Sequence, residues 1–162
     1  MPQYWLKPFG TTNPPRRIDR DWVTGENVDL NRYDILSGPS TQRQPPQMGG
    51  GDQIIFHAIG YAQLFGAGEI LASSTYSEHP FWKDRFPWVY PVRVDVWIPL
   101  VTDGPRTSEI TGKKVMGRLQ AGAPYVRLTA EEYGGLLNEL LKVPSAKTRD
   151  STSATHNHEL TN

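Results

Sequence analysis

The stretch that decides the fold runs from Gly49 to Ile70 and reads GGGDQIIFHAIGYAQLFGAGEI. A glycine-rich turn leads into Gln53–Ala58, a mostly apolar segment that is too short for a helix and is therefore predicted to be a strand. Gly60 and Tyr61 then reverse the chain into a second strand, Gln63–Leu71. Glycines inside that second strand predict a bulge or the close approach of another backbone. The stretch thus predicts a hairpin of two kinked strands at the centre of the domain.

Outside this hairpin, the apolar pattern predicts three more strands and one helix. The strands are Tyr4–Phe9, the strictly alternating Val92–Ile98, and Tyr125–Leu128. Thr129 and Glu132 have the spacing of a capping box at the start of the helix, which is predicted to end before the next proline. We predict that one apolar stripe of this helix packs on the strands, and the stripe comprises Tyr133, Leu136, Leu137, Leu140 and Leu141.

This order of elements predicts the α+β class, with a small, mostly antiparallel β-barrel, one packed helix and long loops. The 162 residues are enough for one domain with a sizeable core. We predict that the domain spans residues 1–144. Residues 145–162 are rich in Ser, Thr and Asn, a composition that predicts a disordered tail.

The composition narrows the classes of function. Lys plus Arg equals Asp plus Glu at 17 each, so nucleic-acid binding would depend on local basic patches and not on net charge. The absence of cysteine excludes disulfides, zinc–thiolate sites and thiol nucleophiles. No apolar run reaches the length of about 20 residues that spans a bilayer, and the N-terminus has no signal-peptide pattern. We therefore expect a cytoplasmic monomer that has no membrane partner, no cofactor and no metal.

Four pieces of the chain, taken in order, resemble the EVE domain, a member of the PUA-like superfamily that is related to YTH readers. The first is the opening strand from Tyr4 to Pro8, and the second is Gly51–His57 with the glycine-containing strand Gly66–Ile70 after it. The third piece is the valine-alternating segment 88–96. The fourth consists of residues 117–119 and the helix start at 129–133. The segment between Trp22 and the hairpin departs from the family pattern.

This resemblance implies a PUA-like fold and a binding module that is not an enzyme. Such a module would take a single modified base of a nucleic acid into an aromatic pocket. Whether the nucleic acid is DNA or RNA, and which modification it carries, is left open. The resemblance covers residues 4–141.

Ring side chains are candidates for stacking on a base, because every base offers a π-face. The alternative is that these rings fill the core, as most aromatic residues do. Trp5 is the strongest candidate because it also matches the family position. The candidate rings are Trp5, Trp22, Phe56, Tyr61 and Trp82.

Two polar residues complete the predicted binding set. His57 is a candidate for reading a base edge through a ring nitrogen, although a half-buried histidine with satisfied hydrogen bonds is an equal alternative. Lys7, on the first strand, is also counted among the binding residues. An open, ring-lined cavity beside Trp5 and His57 would distinguish this binding set from residues that only fill the core.

Two basic loops are candidates for phosphate contacts on either side of a pocket mouth. The alternative is that their charges are simply solvated. The predicted phosphate-contacting residues are Arg16, Arg17, Arg20, Lys113, Lys114 and Arg118.

Two further functions stay open at this point. No hydrolase, metalloprotease or phosphate-loop motif occurs, but related ASCH domains can act as nucleoside amidohydrolases or nucleases through a lysine and a carboxylate. Lys7 and Glu69 are the nearest such pair in this chain. The other possibility is a protein-interaction module, which would be favoured if the candidate rings were buried and left no pocket.

Overall fold

The computed structural model of the chain describes residues 2–9, 17, 36–37, 48–58, 62–76, 88–106 and 125–149. Within these ranges the chain forms nine strands, one α-helix and a 3-10 turn at Val101–Asp103. The helix, α1, spans Ala130–Leu141. The strands are β1 (Tyr4–Phe9), β2 (Leu36–Ser37), β3 (Gln53–Ala58), β4 (Gln63–Ile70), β5 (Thr75–Tyr76), β6 (Trp88–Tyr90), β7 (Val92–Trp97), β8 (Val126–Leu128) and β9 (Lys147–Thr148).

Six strands form the main sheet in the order β8-β1-β3-β4-β7-β9, and three form a small second sheet in the order β2-β6-β5. The pair β1–β3 is parallel, and the other pairs of the main sheet are antiparallel. The α+β class is consistent with this arrangement. The predicted closed barrel is wrong for the described residues, in which the main sheet is open with β8 and β9 at its edges. β8 and β9 do not pair with each other, and the chain between them forms α1, which packs on one face of the sheet.

The predicted elements lie where the sequence pattern places them. β1 and β3 have the predicted bounds, and β4, β7 and β8 differ from theirs by one residue at one end. The capping box of α1 is confirmed. The backbone N–H of Glu132 donates to Thr129 Oγ1 at 3.0 Å, and the backbone N–H of Thr129 donates to Glu132 Oε1 at 2.9 Å.

The glycines of β4 coincide with irregular pairing, as predicted. The β3–β4 register shifts between Phe56 and His57, and the β4–β7 register shifts between Ala67 and Gly68. A Cβ atom on Gly68 would lie 2.1 Å from the carbonyl oxygen of Arg93 on β7. Only glycine therefore allows β4 and β7 to approach this closely.

The main sheet buries different residues on its two faces. The helix face, which carries Leu6, Ile55 and Leu64, is covered by α1. The aromatic face carries Trp5, Phe56 and Phe65, which pack with Tyr90 of the second sheet in one core cluster; further rings in this cluster are Trp97 and Tyr125. Because side chains alternate along a strand, neighbouring residues of β1 and β3 belong to opposite faces.

The helix stripe is confirmed in part. Tyr133, Leu136 and Leu140 are buried and Leu137 is partly buried, but Leu141 is 48% exposed, so its predicted packing is wrong. Leu141 follows Leu140 by about 100° around the helix axis, which turns it out of the stripe. In the part of the chain that the structure describes, no helix is long and apolar enough to cross a membrane.

The start of the predicted disordered tail is also corrected. Lys147 and Thr148 form β9 and pair with Trp97 and Val96 of β7. Arg149 Nε donates to the carbonyl oxygen of Val94 at 3.0 Å. The sheet edge of β7 offers unpaired backbone groups, and pairing with them orders a polar segment that its composition alone would leave unstructured. Residues 150–162 lie outside the described residues.

Candidate functional site

The predicted site residues fall partly within the described residues. Trp5, Lys7, Arg17, Phe56 and His57 are described. The other predicted residues lie outside the described ranges: Trp22, Tyr61 and Trp82 among the rings, and Arg16, Arg20, Lys113, Lys114 and Arg118 among the basic residues.

Trp5 has the contacts of a core residue. Its side chain is only 7% exposed, and its indole Nε1 donates to Asp52 Oδ2 at 3.2 Å. The guanidinium carbon of Arg127 lies 5.5 Å from the centroid of its ring. Phe56 is 1% exposed and its ring centroid lies 5.6 Å from that of Phe65. Neither ring therefore presents an open π-face in this structure.

Asp52 is a structural organiser that the sequence analysis did not single out. Its buried carboxylate accepts hydrogen bonds from the backbone N–H groups of Gln3 and Gly49, both at 3.0 Å, as well as from Trp5. It therefore joins the start of β1 to the glycine turn before β3. One sequence feature could have indicated this role: Asp52 directly follows three glycines and directly precedes an apolar strand.

His57 lies on the face opposite to Trp5. It pairs with Pro8 on β1 and with Leu64 on β4, a residue of the helix face. The structure therefore does not bring Trp5 and His57 to a common pocket, because one residue lies on each side of the sheet. Both ring nitrogens of His57 are buried without a hydrogen-bond partner among the described residues. Burial lowers the pKa of His57 from 6.5 to about 4.

Lys7 is buried on the aromatic face, near the end of β1. Its side chain is 9% exposed, and Nζ donates to the carbonyl oxygen of Pro8 at 2.8 Å. The same atom lies 5.1 Å from the centroid of the Tyr125 ring. Desolvation lowers the pKa of Lys7 from 10.5 to about 8. Buried lysines are rare because the ammonium loses its hydration, so this one is a candidate for a functional group.

Tyr125 supplies a neutral polar group next to Lys7, and Tyr90 packs against Tyr125. Burial raises the pKa of Tyr125 and of Tyr90, so both phenols keep their protons at neutral pH. Their ring centroids are 6.4 Å apart in an edge-to-face arrangement. Neither residue was predicted as part of the site. Tyr125 was predicted only as the start of a strand, and nothing in the sequence indicated that it contacts β1.

The pair proposed for an amidohydrolase is not formed. Glu69 pairs with Gln53 and lies on the helix face, whereas Lys7 pairs with Phe56 on the aromatic face. The carboxylate of Glu69 accepts a hydrogen bond from Gln53 Nε2 at 3.1 Å and lies 3.9 Å from Arg93 Nη1. The sheet therefore separates Lys7 from Glu69.

A cleft of about 420 Å³ lies at the other end of β1, between residues 2–4 and residues 127–130. None of the predicted binding residues lines it. Its polar groups include Thr129, whose hydroxyl oxygen already caps α1. The cleft is therefore distinct from the ring-lined cavity that the sequence analysis predicts.

Arg17 is exposed and is held by a backbone bridge to Leu100, beyond the end of β7. β7 runs antiparallel to β4, and β4 runs antiparallel to β3, so this position is at the end of the sheet where β1 and β3 finish. Arg17 therefore lies at the same end of the main sheet as Lys7.

Comparison with solved structures identifies the type of fold. The YTH domain of the MRB1 protein of Zygosaccharomyces rouxii, solved in complex with N6-methyladenosine RNA, matches with a TM-score of 0.53 at 10% identity, over 89% of this chain and 90% of that chain. The fold is YTH-like. A protein of Agrobacterium tumefaciens matches this chain with a TM-score of 0.53 at 14% identity, over 90% of this chain and 99% of that one. A protein of Rhodopseudomonas palustris matches with a TM-score of 0.50 at 14% identity, over 85% of this chain and 92% of that one.

The sequence itself matches no known protein-family description and no curated protein. At 10–14% identity, the likeness of these structures concerns the fold alone.

Proposed function

We propose that this chain is an EVE-type, PUA-like module that binds a nucleic acid strand without catalysis and reads a modified base. The YTH-like fold supports this proposal, because the YTH domain that shares it was solved with N6-methyladenosine RNA. The observation that carries the proposal is the lysine buried among rings at the end of β1.

The environment of Lys7 suits a planar ligand that has hydrogen-bond acceptors. A buried ammonium is stabilised when an acceptor approaches it, and base edges offer carbonyl oxygens and ring nitrogens. Tyr125, 5.1 Å from the ammonium, contributes an aromatic surface and a protonated phenol. Lys7 is therefore assigned the role of recognising a base edge, which the sequence analysis gave to His57.

The buried rings have a different role in this proposal. Trp5 and Phe56 shape the wall of the site from within the core, since both are less than 10% exposed. Stacking on the base is assigned to Trp22, Tyr61 and Trp82, the other rings of the predicted set.

The test compares Lys7→Met with the matched control Lys142→Met, which alters an exposed lysine just after α1. Affinity is measured for DNA and RNA oligonucleotides that carry N6-methyladenine or a modified pyrimidine, and for unmodified strands. We expect Lys7→Met to lose roughly 10- to 100-fold in affinity for the preferred strand, which corresponds to one hydrogen bond to a charged group. We expect Lys142→Met to bind as the wild type does.

The pH dependence separates a direct contact from a structural effect. The affinity of the wild type should fall between pH 7 and pH 9, because Lys7, with its pKa of about 8, loses its proton in this range. Lys7→Met should lack this fall while keeping the thermal stability of the wild type. Equal affinities of wild type and Lys7→Met for every strand would contradict the role of Lys7.

A protein-interaction module is the second candidate, and the burial of Trp5 and Phe56 favours it. This function predicts that folded wild-type protein binds none of these oligonucleotides, even at low salt. A preference for one modified strand would exclude it as the primary function.

A further inference from the structure

Two arginines from distant parts of the chain are anchored near one turn of the structure. The backbone of Arg17 forms an antiparallel bridge with Leu100, and the backbone of Arg106 forms one with Gln63. Both arginines are exposed. They lie 89 positions apart in the sequence. Arg17 is anchored to the segment 98–106, and Arg106 belongs to it. We call this segment the platform.

The platform is fastened to the start of β4. The backbone N–H of Ile98 donates to the carbonyl oxygen of Phe65 at 2.8 Å, and the N–H of Leu64 donates to that of Pro105 at 3.0 Å. Between these two bonds, the side-chain amide of Gln63 donates to the carbonyl oxygens of Thr102 at 2.6 Å and Gly104 at 2.9 Å. Backbone and side-chain hydrogen bonds together therefore hold the platform in one conformation.

Close packing reinforces these hydrogen bonds. Val101 is fully buried in the core cluster of the aromatic face. A Cβ atom on Gly104 would lie 1.9 Å from the carbonyl oxygen of Leu64, so the platform could not lie this close to β4 with any other residue at position 104. Arg106 thus extends from a rigid backbone, which reduces the ordering cost of any contact that it makes.

The platform lies at the end of the sheet that carries Lys7. Gln63 pairs with Ala58, and Ala58 pairs with Phe9, two residues after Lys7 on β1. Arg106 occupies the next position in this row, beyond Gln63. Three strand spacings of 4.8 Å place the backbone of Arg106 roughly 14 Å from that of β1. This span is comparable to a short stretch of a nucleic acid strand.

The charges at this end of the sheet favour an anionic partner. Among the described residues the end carries Lys7, Arg17, Arg106 and Lys147, which pairs with the last residue of β7, against the exposed Asp103. The chain has no net charge that could attract nucleic acid from a distance, so affinity for phosphates must come from a local arrangement such as this one.

We propose that the platform is a phosphate-binding surface, on which Arg17 and Arg106 contact the backbone of a single nucleic acid strand whose base is read near Lys7. This inference rests on the proposed function and extends it to the strand around the base. Arg106 was not among the residues predicted to contact phosphates, and the structure assigns it this role through its bridge to Gln63.

The test measures how affinity for the preferred strand depends on salt concentration. For a single strand, each lost phosphate contact should reduce the slope of log K against log salt by about 0.7. We expect this reduction in Arg17→Gln and in Arg106→Gln, and about 1.4 in the double variant. Asp103→Asn should strengthen binding, because it removes the opposing charge. Lys142→Gln, which removes the same charge from a residue outside the platform, should leave the slope unchanged.

The outcomes separate this inference from the proposed function. If the wild type prefers a modified strand but both arginine variants keep its salt slope, the platform does not bind phosphates and the proposed function stands. If no strand binds at low salt, the proposed function fails and the platform proposal fails with it. Preference for the modified base should survive in both arginine variants, because phosphate contacts carry no base information.

Discussion

The buried side chains of Lys7 and His57 differ in the partners that surround them. Lys7 is placed between a carbonyl oxygen and an aromatic ring, and both favour a cation. His57 has no hydrogen-bond partner among the described residues, and its pKa is lowered to about 4. A buried polar group without a partner costs about 1–3 kcal/mol, so His57 reduces the stability of the fold in its present surroundings. The same burial makes the fold sensitive to acid.

The sensitivity follows from the pKa of His57. Between pH 6.5 and about pH 4 the unfolded state binds a proton at His57 that the folded state does not bind, so stability falls as the pH is lowered through this range. His57→Leu should remove this dependence. Urea unfolding at pH 7, 6, 5 and 4.5 should show a shallower loss of stability in His57→Leu than in the wild type. His158→Leu, which replaces a histidine near the C-terminus, should keep the wild-type profile, and identical profiles for all three proteins would contradict the assignment.

At the scale of elements, α1 is held by its cap and by one buried stripe. The capping box satisfies two backbone groups at its start, and Leu136 and Leu140 bury the turns that follow. The last turn differs, because Leu141 faces solvent. Two adjacent leucines therefore differ in burial: Leu140 is buried and Leu141 is exposed.

This contrast gives a matched pair of variants. Leu140→Ala should lower the free energy of unfolding by about 2–5 kcal/mol, because it leaves a cavity beneath α1. Leu141→Ala should change it by less than about 0.5 kcal/mol, because the side chain is exposed and alanine favours the helix. Chemical denaturation of the two variants measures the difference. Equal losses would show that the end of α1 does not pack as described.

At the scale of the whole molecule, the open sheet places its two faces in different roles. The helix face is closed by α1, and the aromatic face brings Lys7, Tyr125 and the rings together. The same sheet keeps Glu69 away from Lys7, so these two residues cannot act together in catalysis. In the described residues, Lys7 and Glu69 therefore do not form the lysine–carboxylate pair that the amidohydrolase alternative requires.

Accordingly, we expect any bound oligonucleotide to be recovered unchanged. Incubation of the wild type with modified strands and with free modified nucleosides, followed by chromatography and mass spectrometry, should show no cleavage and no release of ammonia or acetate. Glu69→Gln should bind like the wild type, because Glu69 lies on the far side of the sheet. Turnover that Lys7→Ala and Glu69→Gln each abolish would instead support the amidohydrolase function.

The sequence by itself determined five of the nine described strands and the helix. Alternation along Val92–Trp97, the apolar run of β3, the glycines of β4 and the Thr129–Glu132 box each act over a few residues, so their patterns are readable in the chain. Only the tertiary structure decided which residues share a face. A register shift of one residue moves a side chain to the opposite side of a sheet, and such shifts depend on how neighbouring strands pair. The pairing of β1 with β3 places Lys7 with the rings and His57 on the helix face. The bridges of Arg17 and Arg106 bring two distant arginines to one end of the sheet.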